Sequence, residues 1–480
     1  MDGSERAGPV SAAPTVTGSR RAALALLAFA QLIYSLDINI VFVALPDIGA
    51  GLHFSGQTLQ WVVSAYMVLC GGFLLFGGRA ADLIGQRRMF IFALCLYAVS
   101  SLAGGLARSP EIIVIARAVQ GIGAAFLFPA TLSLINRLFA EGPERNRALA
   151  VWGGAGASGL TIGALAGGLL TAAFGWPAVF YVNVVLADLA MLAAFVVIPR
   201  DPKRHEHRSF DLPGALTVTA GATLLVFALV QGPEFGWSSP VIVWSFILSG
   251  LFLVVFAGIE ARSDDPLMPL RLFGNRHLVT GMTITFLYMG TFGALPYFLT
   301  VLFQNVQGFT ALQTGLAFLV PSFAIVGGTQ AGERLATRFS TRTTLVGGTI
   351  LGAIGTAMLV VGAGANSPYL AIVPGLALSG IGQGIVWTGM WIAAASGVHH
   401  DEQGVASGMA STALSIGNAI GLAVLIAIAN RHVGGLTGEA QRVAVAAGIR
   451  IAFWLAAAGI LASLLAALTL PAKAAADTAD

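Results

Sequence analysis

The sequence predicts an all-α polytopic membrane protein: about fourteen transmembrane helices, arranged as two six-helix halves with two extra spans between them. Three observations lead there. Of 480 residues, 56% are hydrophobic and 10% charged, with a mean hydropathy of +0.84, whereas a soluble domain carries about 25% charged residues and needs them to cover a water-facing surface. Apolar runs of about 20 residues, the length that crosses a hydrocarbon core of about 30 Å, recur from one end of the chain to the other. These runs are continuous rather than alternating, which excludes a membrane β-barrel. The same composition excludes a secreted domain, a nucleic-acid binder and most soluble enzymes.

In chain order the spans fall near 21–46, 57–80, 89–107, 111–135, 147–172, 177–198, 212–231, 240–259, 278–303, 311–331, 343–363, 369–395, 404–430 and 447–470. Residues 1–20 are polar and lack the charged start and short apolar core of a cleavable signal, so they read as a disordered cytoplasmic tail. Residues 21–198 make an N-terminal six-helix half, and 278–470 a C-terminal one. Between them, 199–277 hold cytoplasmic linkers and the spans 212–231 and 240–259, which contain no charged residue and are expected to face lipid as a spacer. Residues 471–480 form a second cytoplasmic tail. Cys70 and Cys95 both lie in apolar runs, with no disulfide framework and no metal-ligand spacing, and read as inert packing thiols.

Orientation follows from the basic residues, because basic loops stay on the cytoplasmic side. With the N-terminus inside, 20 of the 25 Lys and Arg residues lie in inner segments, while Arg108, Arg431, Arg442 and Arg450 lie in outer ones and Arg117 falls inside a span. Both termini are then cytoplasmic. A weak internal repeat lays Arg79–Arg87, after span 2, on Arg334–Arg342, after span 10. Repeated halves with a site between them are a common construction of secondary transporters.

Ionisable residues inside the spans stand out first. An Asp in hydrocarbon costs about 2.5–3.5 kcal/mol, so it normally faces a partner or a wet cavity. Asp37 lies in span 1, Arg117 in span 4 and Asp188 in span 6. Counting helix rise from the outer end places them at depths of roughly 14, 9 and 17 Å, the outer half to the midplane. Burial opposes ionisation of a carboxyl group and a cationic neighbour favours it, so a carboxylate that meets and leaves an arginine takes up and releases a proton. Asp37 and Arg117 are the expected pair, with Asp188 as a further cavity-lining acid or a counter-ion.

Other clusters frame that pair. In the inner loop Gly78–Arg88, Asp82 is placed to cap or pair with a cationic group, Gly85 permits a tight turn, and Arg87 and Arg88 suit anionic headgroups, so the loop reads as a latch between the inner ends of two helices. In span 5, Gly159, Gly163 and Gly167 recur every fourth residue and are followed by Gly168, a smooth face for close helix approach. In span 12, Gln383, Trp387 and Trp391 share one helical face; with Tyr34 and Gln120 they are candidates for lining a substrate cavity, although Trp391 also suits an interfacial aromatic belt. The clusters His205–His207 and His399–Glu402 lack a second group at zinc-site spacing and read as solvated loops, giving no metal site. Neither lysine follows a glycine, so no phosphate-binding loop is present.

Taken together these motifs resemble the major facilitator superfamily, and within it the fourteen-span drug:proton antiporter family. Leu36–Pro46 is similar to the family's span-1 signature, with Asn39 and Phe42 in place of Thr and Asn. Gly78–Arg88 resembles its inner-loop motif, with Leu83 and Gln86 replacing arginines. Ile113–Ala125 matches the span-4 motif, including Arg117, Gln120, Gly121 and Gly123. Gly159–Gly168 resembles the antiporter motif, with Ala164 in place of Pro, and the C-terminal copy of the loop motif has Thr337 and Ser340 where acid and glycine stand. The resemblance implies a major facilitator fold in a bacterial cytoplasmic membrane, working as a monomer that exports lipophilic small molecules. Its energy source is the proton gradient, with no cofactor, and its other contacts are protons and membrane lipid. The two membrane acids lean toward cationic substrates. The alternatives are uptake by proton symport, a non-transporting membrane sensor, or a lipid-acting enzyme, for which the sequence offers no nucleophile and base.

Overall fold

A computed structural model describes residues 17–54, 59, 61–201, 211–263, 266, 268–399, 402–431 and 436–470. Residues 1–16 of the expected N-terminal tail, the C-terminal tail and the His205–His207 cluster lie outside these residues, as do His400 and Asp401, while 17–20 belong to the first helix. The helices are α1 (Thr17–Gly51), α2 (Trp61–Ile84), α3 (Gln86–Gly105), α4 (Pro110–Leu138), α5 (Pro143–Phe174), α6 (Ala178–Val197), α7 (Leu212–Phe235), α8 (Pro240–Glu260), α9 (Arg276–Thr291), α10 (Leu295–Val301), α11 (Ala311–Ala317), α12 (Leu319–Arg338), α13 (Thr341–Gly362), α14 (Tyr369–Ala395), α15 (Gln403–Ala429) and α16 (Gly438–Leu468). Fourteen spans long and apolar enough to cross a membrane result, and no strand occurs among the described residues.

Local chemistry sets the helix starts. Pro110, Pro143 and Pro240 occupy first-turn positions, where a missing N–H costs nothing. Ser340 caps α13 through the Thr343 N–H, and Asn275 caps α9 through the N–H groups of His277 and Leu278. Two spans differ from the continuous helices expected. Span 9 runs Arg276–Val306 as α9, a 3₁₀ turn at Phe292–Ala294, α10 and a π turn at Leu302–Val306. Pro296 lies in the first turn of α10, where it cannot donate back to α9. Span 10 is divided at Phe318 into α11 and α12.

In the N-terminal half α1 packs on α5 and α6, α2 on α4, and α3 on α4 and α6. In the C-terminal half α13 packs on α14 and α16, α12 on α14, and α9 on α15, α14 and α16. The halves meet where α5 touches α12 and α14, and where α2 and α4 touch α15. The two spacer spans differ from each other. Helix α7 lies against both α2 and α15, with Trp61 stacked on Phe227 at 6.1 Å, so it covers the seam between halves; α8 packs on α7 and keeps an apolar outer face. The thiols also divide: Cys70 is buried, but Cys95 lies on an exposed face of α3.

Candidate functional site

Asp37 sits at the centre of a closed polar cluster inside the N-terminal half. Its carboxylate is 0% exposed and Arg117 is 1% exposed. Oδ2 accepts from Arg117 Nη1 at 2.7 Å; Oδ1 accepts from Gln120 Nε2 at 3.0 Å and from Asn183 Nδ2 at 2.6 Å. Arg117 is itself held by Nε donating to the Val62 carbonyl at 3.0 Å, by Nη1 donating to Gln120 Oε1 at 2.7 Å, and by the Tyr66 ring 4.3 Å from its Cζ. Gln120 also donates to Ser101 Oγ at 2.9 Å. Helices α1, α2, α3, α4 and α6 thus each contribute to one charge pair. A buried pair with its remaining valences satisfied survives desolvation, and removal of one partner leaves an uncompensated charge.

Two expected residues are placed differently. Gln120 is part of this cluster, fully buried, and does not face the boundary between halves. Asp188 is half-buried five residues beyond Asn183, about 140° around α6 at 100° per residue. That turns it toward the side of Val185 and Leu192, which are exposed, and no hydrogen bond or ion pair ties it to Asp37 or Arg117. The α6 residue that reaches Asp37 is Asn183. It was legible as a polar residue in an apolar run; Ser101 carried no such signal.

The inner-loop cluster forms a latch, with a second acid that sequence reasoning missed. Asp82 is buried at the end of α2, and its carboxylate accepts from the Gly404 N–H at 3.1 Å and the Val405 N–H at 2.9 Å, in the first turn of α15. Free N–H groups and the positive end of the helix dipole both favour a carboxylate there. Gly78 lies so close to the Gly404 carbonyl that no Cβ fits between them. Gly85 has φ +113°, open to glycine, and a side chain there would strike Asp201. Asp201 accepts from the backbone N–H groups of Arg87 and Arg88 at 3.0 and 3.2 Å and from Arg137 Nη1 at 2.8 Å, so it caps α3 and ties it to α4. The Arg87 guanidinium donates to the Phe195 carbonyl at 2.6 Å, whereas the Arg88 side chain is exposed. The C-terminal copy makes a neutral counterpart: Asn146 Nδ2, near the start of α5, donates to Thr337 Oγ1 at 3.3 Å. The Arg-rich ends of the halves are therefore closed on each other while Asp37 and Arg117 are paired, so pairing does not require those ends to open.

The glycine face of α5 meets the backbone of α1. A Cβ at Gly159 would lie 2.5 Å from the Leu32 carbonyl oxygen and one at Gly167 2.9 Å from that of Ile40; Gly163 lies in the same way against Leu36. Gly168 is off this seam, where a Cβ would meet only Val43, at 3.9 Å. With Ala164 in place of Pro, α5 continues unbroken to Phe174. Asn39 adds a cross-link, donating to the Leu160 carbonyl at 2.8 Å.

Between the halves lies an aromatic cluster. Trp152 of α5 stacks on Trp387 of α14 at 5.9 Å and 19°, and Trp391 stands edge-on to Trp152 at 5.9 Å. Phe128 of α4 touches Trp152 and Trp391 at 5.3 and 5.6 Å; Tyr34 joins through Phe128 at 5.1 Å and Tyr288 of α9 through Trp387 at 5.5 Å. Gln383 lies beside Tyr288. Trp391 is 2% exposed, so it belongs to this cluster and not to an interfacial belt.

A profile of the Major Facilitator Superfamily matches residues 27–422. The chain belongs to the major facilitator superfamily. Among its relatives, a puromycin resistance protein of Streptomyces alboniger is 37% identical over 410 residues, covering 84% of this chain and 80% of that one. A cephamycin export protein of Amycolatopsis lactamdurans is 35% identical over 473 residues, covering 97% and 96%. The crystal structure of a human organic anion transporter superposes with a TM-score of 0.68 at 15% identity, covering 93% of this chain and 99% of that one, a likeness of fold. This major facilitator protein is thus a multi-pass membrane transporter and not an enzyme, of the fourteen-span type.

Proposed function

We propose that the chain is a proton-coupled exporter of lipophilic small molecules, antibiotics among them, in a bacterial cytoplasmic membrane, with both termini cytoplasmic and the monomer as working unit. The observation that carries this reading is the buried Asp37–Arg117 pair at 2.7 Å, set in a membrane-embedded cluster beside a latched boundary between halves. The relatives named for resistance and export support the direction of transport.

In this reading the paired form is the proton-free state. A proton from outside neutralises Asp37 and releases Arg117 from its partner, which loosens the α1–α4–α6 cluster and favours opening at the Arg-rich, cytoplasmic end. Drug then enters as the proton leaves, the pair closes again, and the Asp82 latch reseals. Asp188, turned away from the cluster, is left out of the relay.

Inverted vesicles test this directly. Acidifying their interior is expected to drive accumulation of a fluorescent drug, and dissipating the gradient with a protonophore to abolish it. Accumulation driven by acidifying the outside would instead establish uptake by symport, and binding without flux would establish a sensor.

A further inference from the structure

The aromatic cluster between the halves holds three polar atoms that its packing does not explain. The indole Nε1 atoms of Trp152, Trp387 and Trp391 are all buried, and none has a hydrogen-bond acceptor. Native proteins avoid burying an N–H without a partner, and where several such groups gather each calls for an explanation. Trp152 is 0% and Trp391 2% exposed and Trp387 is part-buried, and the Nε1 atoms of all three are closed to bulk solvent. Trp387 Nε1 lies directly over Gly153 of the opposite half, where a Cβ would sit 2.5 Å from it. The donors therefore line the surface along which the halves part: Trp152 belongs to one half, Trp387 and Trp391 to the other.

The charge environment narrows what such donors would take. Both oxygens of Asp37 are held by Arg117, Gln120 and Asn183, and Asp188 faces away on α6. Neither membrane acid is in the cluster, so nothing there selects a cation by ion pairing. We propose that Trp152, Trp387 and Trp391 form the recognition surface for a flat, uncharged molecule that brings its own acceptors, such as an aryl ketone or a quinone. This departs from the cationic preference expected from the sequence. It rests on the export reading to the extent that parting the Arg-rich ends is what admits the ligand. When α5 and α14 separate, the ring faces and N–H edges now covered by one another become available together; a flat ketone inserted between them stacks on the faces and accepts from the edges. On its departure the rings close again and seal the path behind it.

The purified, detergent-solubilised full chain tests this by scintillation proximity with tritiated 9-fluorenone. Fluorene, the same frame without the carbonyl, and tetraphenylphosphonium, a cation without an acceptor, serve as competitors. Fluorenone is expected to bind about ten-fold more tightly than fluorene, from one or two hydrogen bonds of ordinary strength. Trp387→Phe and Trp391→Phe each keep a smaller ring, and are expected to lower fluorenone affinity about two- to ten-fold more than fluorene affinity, the excess being the lost N–H donor. Asp82→Asn, which unties the inner ends, is expected to strengthen fluorenone binding by enlarging the open population.

Equal loss of fluorenone and fluorene in the phenylalanine variants would reduce the tryptophans to packing and overturn the proposal. So would unchanged fluorenone affinity in those variants, stronger competition by tetraphenylphosphonium than by fluorene, or no fluorenone binding even in Asp82→Asn. Binding is read without a gradient, so it separates the two claims. Fluorenone binding by a chain that accumulates nothing in inverted vesicles would sink the export reading and leave this one standing.

Discussion

At the scale of single residues, the arrangement turns on one buried carboxylate with three donors. Arg117→Gln leaves Asp37 buried without its counter-charge and is expected to cost about 3–5 kcal/mol of stability, read as a fall in the thermal unfolding midpoint of the detergent-solubilised protein. Adding Asp37→Asn to that variant removes the orphaned charge and is expected to recover part of the loss; a double variant less stable than either single one would contradict the assignment. Asn183→Ala, which removes the 2.6 Å hydrogen bond to Asp37, is expected to cost about 1–3 kcal/mol. The charged pair was legible in the sequence because Asp and Arg are rare in hydrocarbon, and Asn183 could have been found by the same reasoning. Asp188 misled that reasoning, since depth along a span says nothing about which way a residue faces around its helix.

At the scale of elements, helix ends and glycine seams set which parts hold still and which part. Asp82 caps the first turn of α15 from another half of the molecule. Asparagine there keeps one acceptor oxygen for two N–H groups and loses the charge, at a cost of about 1–3 kcal/mol, so Asp82→Asn is expected to raise the population open at the Arg-rich end several-fold. Spin-label distances between the inner ends of α2 and α15 would report this as a growing long-distance peak, and an unchanged distribution would deny the latch. The α1–α5 seam is expected to resist enlargement: Gly163→Val drives a side chain into the Leu36 backbone and should cost about 1–3 kcal/mol or more, read in the same unfolding assay. The glycine periodicity of α5 predicted a tight seam but not its partner. The Asp201 cap on α3 was invisible, because it joins residues more than a hundred positions apart through backbone N–H groups that any sequence carries. The breaks in spans 9 and 10 escaped because hydropathy measures length and apolarity, not helical continuity.

For the whole molecule, the fold was the most legible feature, because an excess of apolar residues and the clustering of arginines leave few architectures open. Charge counting also fixes an expected orientation. In a Cys95→Ser background, Arg108→Cys is expected to react with a membrane-impermeant maleimide in intact cells and Arg88→Cys only after permeabilisation; the reverse pattern would invert the topology. The energetics of the cycle depend on substrate charge, since one elementary charge crossing 100 mV gains about 2.3 kcal/mol. Exchange of one proton for an uncharged ketone is therefore expected to respond to an imposed potential, whereas exchange for a monocation would respond to the pH gradient alone. The most direct test of the central claim compares wild type and Asp37→Asn in proteoliposomes under an imposed pH gradient. The account predicts uphill drug movement in the wild type, and in the variant none, with downhill equilibration of the same drug retained. Uphill movement of undiminished size by Asp37→Asn would contradict it.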